Sequence, residues 1–236
     1  MSIIEKEPVT RLIISRWPVT ISFSLLSLLF AVGLAIPIGV YSAIHRNRPF
    51  DHLGRVFALL GVSMPNFWVG LMLIILFAHR WHLLPSGGYV PINESFVGWL
   101  KSMVLPVVTL GTGQTALTMR MMRSCMLEVL HQDYVTTARA HGAPEWKVTW
   151  VHAFRNAFIP VLTVLGMNIS LLLSGATVTE VVFALPGNGR LAYQALLNRD
   201  YPTLMGSTII FALMYITSTF LVDIAYAFID PRIKYE

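Results

Sequence analysis

His79 and His82 form an H-x-x-H pair, the first place along the chain where residue type and spacing invite chemistry. On a helix two imidazoles at this spacing share a face, and imidazole suits nickel, zinc or copper. Trp81 lies between them, and polar side chains beside an aromatic ring are also what the boundary of a membrane helix carries. The pair is read as interfacial, and no metal is assigned. His45, His52, His131, His141 and His152 show no ligand spacing. Gly111-Thr112-Gly113-Gln114-Thr115-Ala116 imitates a dinucleotide-binding fingerprint, but such glycines work between a strand and a helix, and here they sit in an apolar helical run. Cys125 is the only cysteine, so no intrachain disulfide and no cysteine-built metal site can form; small apolar packing is its expected role. Asp223 is the one ionisable residue well inside an apolar stretch. A single buried acid makes no proton relay and is read as structural. No G-x-x-x-x-G-K-[ST], H-E-x-x-H or G-x-S-x-G is present, so no catalytic residue is assigned and no enzyme is expected.

The elements that carry these residues are set by composition. Of 236 residues 55% are hydrophobic and only 12% charged, with a mean hydropathy of +0.64, whereas soluble domains hold about 25% charged residues. Too few polar residues remain to coat a soluble core, so the coat is lipid and the fold class is an all-α integral membrane protein. Crossing hydrocarbon takes about 20 apolar residues, and five stretches qualify: Val19 to Ile44, Val56 to Ala78, Met103 to Met122, Phe158 to Thr179 and Thr203 to Phe228. Residues 1–16 form an N-terminal interfacial segment ahead of a membrane domain at 17–236. Glu5, Lys6, Glu7, Arg11 and Arg16 interrupt the first eighteen residues, so no cleavable signal peptide is evident.

Net charge is +5 and the isoelectric point near 9.6. In a soluble protein this would raise nucleic acid as a partner; here the positive-inside bias accounts for it, and no nucleic acid is expected. Sorted by loops, Arg46, Arg48, Arg55, Arg120, Arg123, Arg139, Lys147, Arg155, Arg232 and Lys234 fall on one side, against Lys6, Arg11, Arg16, Arg80, Lys101, Arg190 and Arg199 on the other. The loop 123–157 and the C-terminus are accordingly expected in the cytoplasm. Pro37, Pro65, Pro106 and Pro160 lie in or at the edges of the spans, where proline removes a backbone donor and bends or ends a helix. Gly33, Gly39, Gly111, Gly113, Gly166 and Ser170 offer close approach between helices.

The loop between the third and fourth spans reads as helix, break, helix. Residues 127–141 favour helix; Gly142 suits a left-handed position after a helix end, and Pro144 suits the first turn of the next. The short second helix, near Pro144 to His152, sets Trp146, Val148 and Val151 against Glu145, Lys147 and His152. A structured loop that displays Trp146 and Trp150 calls for a partner surface.

At these residues a family becomes recognisable. The run from Asp133 to Leu162, which includes Thr136-Thr137-Ala138-Arg139-Ala140-His141-Gly142-Ala143-Pro144-Glu145-Trp146-Lys147-Val148, resembles the coupling loop of binding-protein-dependent ABC importers of the oligopeptide, dipeptide and nickel type. Thr136, Thr137 and Ala138 stand where the general motif has Glu-Ala-Ala, and its later Ile-x-Leu-Pro is absent, with a proline arriving only at Pro160. Glu180-Val-Val-Phe-Ala-Leu-Pro-Gly-Asn-Gly-Arg190, followed by Asn198-Arg-Asp-Tyr-Pro202, resembles the external loop of one of the two permease subunits in these systems. Gly61 to Trp68 resembles the family's second-span region, and Asp230 to Tyr235 its ending.

The resemblance implies a permease that forms the translocation pathway for peptides or nickel chelates in the bacterial inner membrane. Its implied partners are a second homologous permease, two cytoplasmic ATPase subunits that hold the ATP and Mg²⁺, an external solute-binding protein and lipid; this chain itself binds no cofactor. It further implies an ATPase-coupling set of Asp133, Ala138, Arg139, Gly142, Ala143, Pro144, Glu145, Trp146, Val148 and Arg155. An external loop or gate would comprise Glu180, Phe183, Pro186, Gly187, Gly189, Arg190 and Asp200. Such subunits begin with one more membrane helix, so Met1 is expected to mark an internal start or a truncation. The rival readings are a secondary transporter or channel, which would run on an ion gradient, and an intramembrane enzyme, which would need a nucleophile or metal cluster.

Overall fold

The computed structural model describes residues 1–229, with the side chains of 167–175, 222, 223 and 225–229 outside the described set. The side chains of Asp223 and Ser170, and the ending Asp230 to Tyr235 with Arg232 and Lys234, therefore lie outside the described residues. No strand occurs among the described residues. The helices are α1 (Val9–Ile44), α2 (Pro49–Ser63), α3 (Asn66–Leu73), α4 (Phe96–Leu130), α5 (Asp133–Ala140), α6 (Glu145–Lys147), α7 (Phe154–Gly175), α8 (Thr177–Val182), α9 (Asn188–Leu197) and α10 (Tyr201–Ile229). Two π-helical stretches, Ile74–Arg80 after α3 and Val148–Ala153 between α6 and α7, continue the neighbouring helices.

Four of the five expected spans appear as continuous helices long and apolar enough to cross a membrane. The second does not. Residues expected to run straight from Val56 to Ala78 are divided between α2 and α3, with a break at residues 64–65. The cause is Pro65, extended at ψ 134° as the residue before α3. Its ring blocks a continuing helix and also biases Met64 away from helical geometry. Pro37, Pro106 and Pro160, by contrast, are carried inside α1, α4 and α7 without ending them. At its N-terminal end α1 begins at Val9 rather than Val19, so residues 9–16 continue directly into the span.

The described residues divide into two compact units: residues 1–30, 64–113 and 169–218, and residues 31–63, 114–168 and 219–229. In the first unit Phe23, Met103, Leu105, Phe183 and Leu185 are buried together, with Phe77, Trp99 and Val182 packed against them. A smaller cluster joins Leu12 and Ile13 to Leu191. In the second unit Ala35, Ala58 and Met119 are buried together, with Ile38 packed against them. The close approach expected at Gly39 is present, since a Cβ there would lie 2.9 Å from both the Met119 carbonyl and Met122 Cβ; at Gly33 nothing lies within 4 Å.

Candidate functional site

The second unit holds the loop that follows α4. After Leu130 the helix breaks at His131–Gln132 and resumes as α5, so the expected single helix over 127–141 is two helices. α5 closes on a Schellman turn: Gly142 takes φ +76°, its N–H donates to the Arg139 carbonyl at 2.9 Å, and the Ala143 N–H donates to the Ala138 carbonyl at 3.2 Å. These two bonds satisfy carbonyls that a helix end otherwise leaves unpaired, and they require a left-handed residue at the turn. Pro144 then stands one residue ahead of α6, at ψ 144°, rather than in its first turn, and its carbonyl accepts from Lys147 and Val148. The short helix expected to stand apart from the fourth span is instead fused to it through the π-helical stretch.

The two arms are strapped by Arg139, whose Nε donates to Glu145 Oε1 at 2.9 Å. Both side chains are exposed, so this strap contributes under about 1 kcal/mol. The stronger hold is apolar, since Val135 and Val148 are fully buried. Val148 therefore belongs to the inner face, a correction to its placement beside Trp146. Outward stand Trp146 at 64% exposure, Trp150 and Val151. Asp133 opens α5, Ala138 and Ala143 flank the turn, and Arg155 is exposed in α7.

The same unit holds a buried polar network that no local sequence pattern signals. Asp51, wholly buried, accepts from Ser42 Oγ at 2.6 Å, from the Asn47 N–H at 3.0 Å, and from Arg123 Nε and Nη2 at 2.6 and 2.9 Å. A bidentate guanidinium with two further donors saturates the carboxylate, as a buried charge requires. It joins the end of α1, the start of α2 and the part of α4 that leads to the loop. Asp51 and Arg123 lie 72 residues apart, so no local spacing signals their pairing.

The first unit holds the other candidate set. Glu180 is fully buried; its Oε1 accepts from Thr20 Oγ1 at 3.0 Å and its Oε2 from the Arg190 N–H at 2.9 Å, with the Gly189 N–H as a further donor. Thr20 Oγ1 in turn accepts from the Asn188 N–H at 2.9 Å. The first N–H groups of α9 are thus capped from α8 and α1, and the carboxylate sits where the helix dipole favours negative charge. Burial pushes the Glu180 carboxyl up, and these hydrogen bonds pull against it.

Glycine is needed at Gly187 because a Cβ there would fall within van der Waals contact of the Glu180 carboxyl, and at Gly189 because it would lie 2.7 Å from Thr177 Cα. Phe183 is buried, Pro186 half-buried, and the Arg190 guanidinium donates to the Ala184 carbonyl at 2.6 Å. Asp200 stands apart from this group. It precedes α10, accepting from Thr203 at Oδ2 (2.8 Å) and from Ser2 Oγ. Burial pushes its carboxyl up, but the Ser2 and Thr203 hydrogen bonds outweigh this and hold it at about 2.

The rings of His79 and His82 lie 6.4 Å apart between centroids, and among the described residues no group of three or more potential ligands could hold a metal. Gly111 to Ala116 lies within α4.

Apolar helices long enough to cross a membrane, joined by a structured loop, define a multi-pass membrane protein. Residues 35–235 match the family of the binding-protein-dependent transport system inner membrane component, and the chain belongs to that family. It is 44% identical, over 100% of its own length and 75% of the relative's, to a Brucella abortus protein provisionally named a peptide transport system permease. It is 39% identical to the dipeptide transport system permease protein DppB of Escherichia coli K12, over 97% of this chain and 74% of that one. Its fold resembles that of the MetNI methionine ABC transporter in an inward-facing conformation, with a TM-score of 0.74 at 17% identity over 95% of this chain and 99% of that one. An amino acid ABC transporter gives 0.65 at 15% identity, over 92% of this chain and 94% of its own. The chain is accordingly an inner-membrane ABC permease and not an enzyme.

Proposed function

We propose that this chain forms part of the translocation pathway of an ATP-driven peptide importer, and that residues from Gly142 to Val151 transmit ATPase motion to the spans. The observation that carries the coupling role is the Schellman turn at Gly142, which aims an exposed Trp146 outward while Val135 and Val148 anchor the loop inward. An indole left 64% exposed on a rigid arm is the kind of anchor that fills a partner's groove. The partner is a cytoplasmic ATPase subunit, one of two, which bind the ATP and Mg²⁺. A second permease completes the pathway and an external binding protein delivers substrate. The C-terminus lies on the same, cytoplasmic side as the loop. ATP-driven closure of the ATPase pair pulls the two coupling loops together and opens the spans outward.

Peptides are preferred to nickel chelates as substrate because the relatives' names are those of peptide permeases. The Glu180–Thr20–α9 cap then serves as a rigid external element of the gate, with its carboxylate as fastener. The test is to purify this chain through a tag, with the subunits that accompany it, and reconstitute it in vesicles with its binding protein. Peptide uptake and ATP hydrolysis are then measured together. Trp146→Ala is expected to keep insertion and ATPase activity while losing most uptake; unchanged uptake per ATP would show the loop to be a connector. A wild-type complex that takes up no peptide, or needs only an ion gradient, would overturn the substrate or the energy source respectively.

A further inference from the structure

We propose that the second unit binds one anionic phospholipid, its headgroup in a basic groove beside the α5–α6 loop and an acyl chain in an adjoining apolar groove. The basic groove, about 490 Å³, is lined by Arg46, His131 and Arg139 over Ile44, Leu127 and Leu130. The apolar groove, about 500 Å³, is lined by Pro37, Ile38, Tyr41, Phe50 and Trp150. Ile44 lines both, so the two adjoin. Charge and apolar surface placed end to end on a membrane-crossing chain match the two parts of a single lipid.

The charge in the groove favours an anion. Arg139 is engaged by Glu145, whose carboxylate faces the same groove. That pair is neutral together. The Arg46 side chain makes no ion pair or hydrogen bond among the described residues and leaves one uncompensated guanidinium, whose N–H groups can donate to two phosphate oxygens in a bidentate arrangement. Basic pockets between membrane helices recognise anionic headgroups on these terms.

The apolar groove carries the marks of a lipid boundary. Tyr41 and Phe50 pack edge to face at 4.7 Å, and Tyr41 and Trp150 are both half exposed. Rings with one polar atom settle where hydrocarbon meets headgroups. A free anion would leave this groove uncovered, and an apolar protein helix would bring nothing to Arg46; a phospholipid satisfies both. Because Thr136, Arg139, Glu145 and Thr149 line the same basic groove, a bound headgroup touches both arms of the loop.

Trp150 reports occupancy of the apolar groove. The protein is purified through a tag on this chain, with the subunits that accompany it, into nanodiscs containing brominated phosphatidylglycerol or brominated phosphatidylcholine. The Trp150 signal is the difference between the wild type and Trp150→Phe. Phosphatidylglycerol is expected to quench it with roughly fivefold higher apparent affinity than phosphatidylcholine, the effect of one arginine near a membrane surface. Arg46→Gln should bring the two lipids to equality. Glu145→Gln, which removes the opposing carboxylate, should widen the preference, and Arg48→Gln should leave it unchanged. Equal quenching by both lipids in the wild type, or a preference that survives Arg46→Gln, would overturn the proposal. Quenching by neither lipid would also overturn it, by placing protein over the groove. None of these outcomes depends on what the transporter carries.

Discussion

Gly142 is the point at which a single backbone dihedral decides where Trp146 is aimed. At φ +76° an L-residue incurs about 1–2 kcal/mol of strain, and a β-branched side chain more. A Cβ at Gly142 would meet nothing within 4 Å, so the whole effect of Gly142→Val is conformational and none of it steric. If the chain relieves the strain by leaving the left-handed region, it breaks the bonds from Gly142 to Arg139 and from Ala143 to Ala138, each worth about 0.5–1.5 kcal/mol. By either route the ratio of correctly turned to misaimed loops falls roughly five- to thirtyfold, since 1.4 kcal/mol is a factor of ten. The assay is peptide uptake per ATP hydrolysed by the reconstituted complex. Gly142→Val should lower that ratio several-fold without altering insertion or the melting of the spans. Gly142→Asn, which accepts the left-handed region more readily, should retain most of it. Equal losses in the two variants would refute the backbone argument, because they would point to a lost contact at that position; unchanged coupling in Gly142→Val would refute the role of the turn altogether.

Other perturbations follow from the buried networks. Arg123→Gln leaves the Asp51 carboxylate buried without its guanidinium and should destabilise the protein in detergent by about 3–5 kcal/mol; adding Asp51→Asn should recover part of that loss, and strictly additive losses in thermal unfolding would contradict the pairing. Gly187→Ala drives a methyl into the Glu180 carboxyl and should cost about 1–3 kcal/mol in the same assay, with wild-type melting counting against so close an approach. Ala184 holds φ +53°, closing α8 through bonds from Ala184 to Val181 and from Leu185 to Glu180. Ala184→Gly should therefore stabilise by about 0.5–1 kcal/mol, as relief of strain exceeds the entropy glycine loses on folding, and a lower melting temperature would contradict that.

The class of structure and the position of its punctuation are legible in the residues alone. A chain with 12% charged residues has no means of coating a soluble core, and its apolar runs place the helices, because hydropathy and length are properties each segment carries alone. Gly142 was legible for the same reason: a glycine after a helical run is a local signal, and it takes the left-handed turn expected of it. The loop motif was likewise visible as a contiguous string.

Tertiary structure decided what depends on direction or on distant partners. Four prolines look alike in the sequence, yet only Pro65 interrupts its span, while Pro37, Pro106 and Pro160 are accommodated within their helices. The fusion of α6 to α7 and the burial of Val148 depend on a π-helical stretch that re-phases the side chains, which a regular helical period does not anticipate. Asp51 reads as an ordinary loop acid and Arg123 as one more positive-inside charge until α1, α2 and α4 bring them together. Glu180 and Thr20 likewise become caps only where they meet the start of α9. Hydrophobicity is summed along the chain, whereas a buried carboxylate must find its donors in space, and only the packed helices supply them.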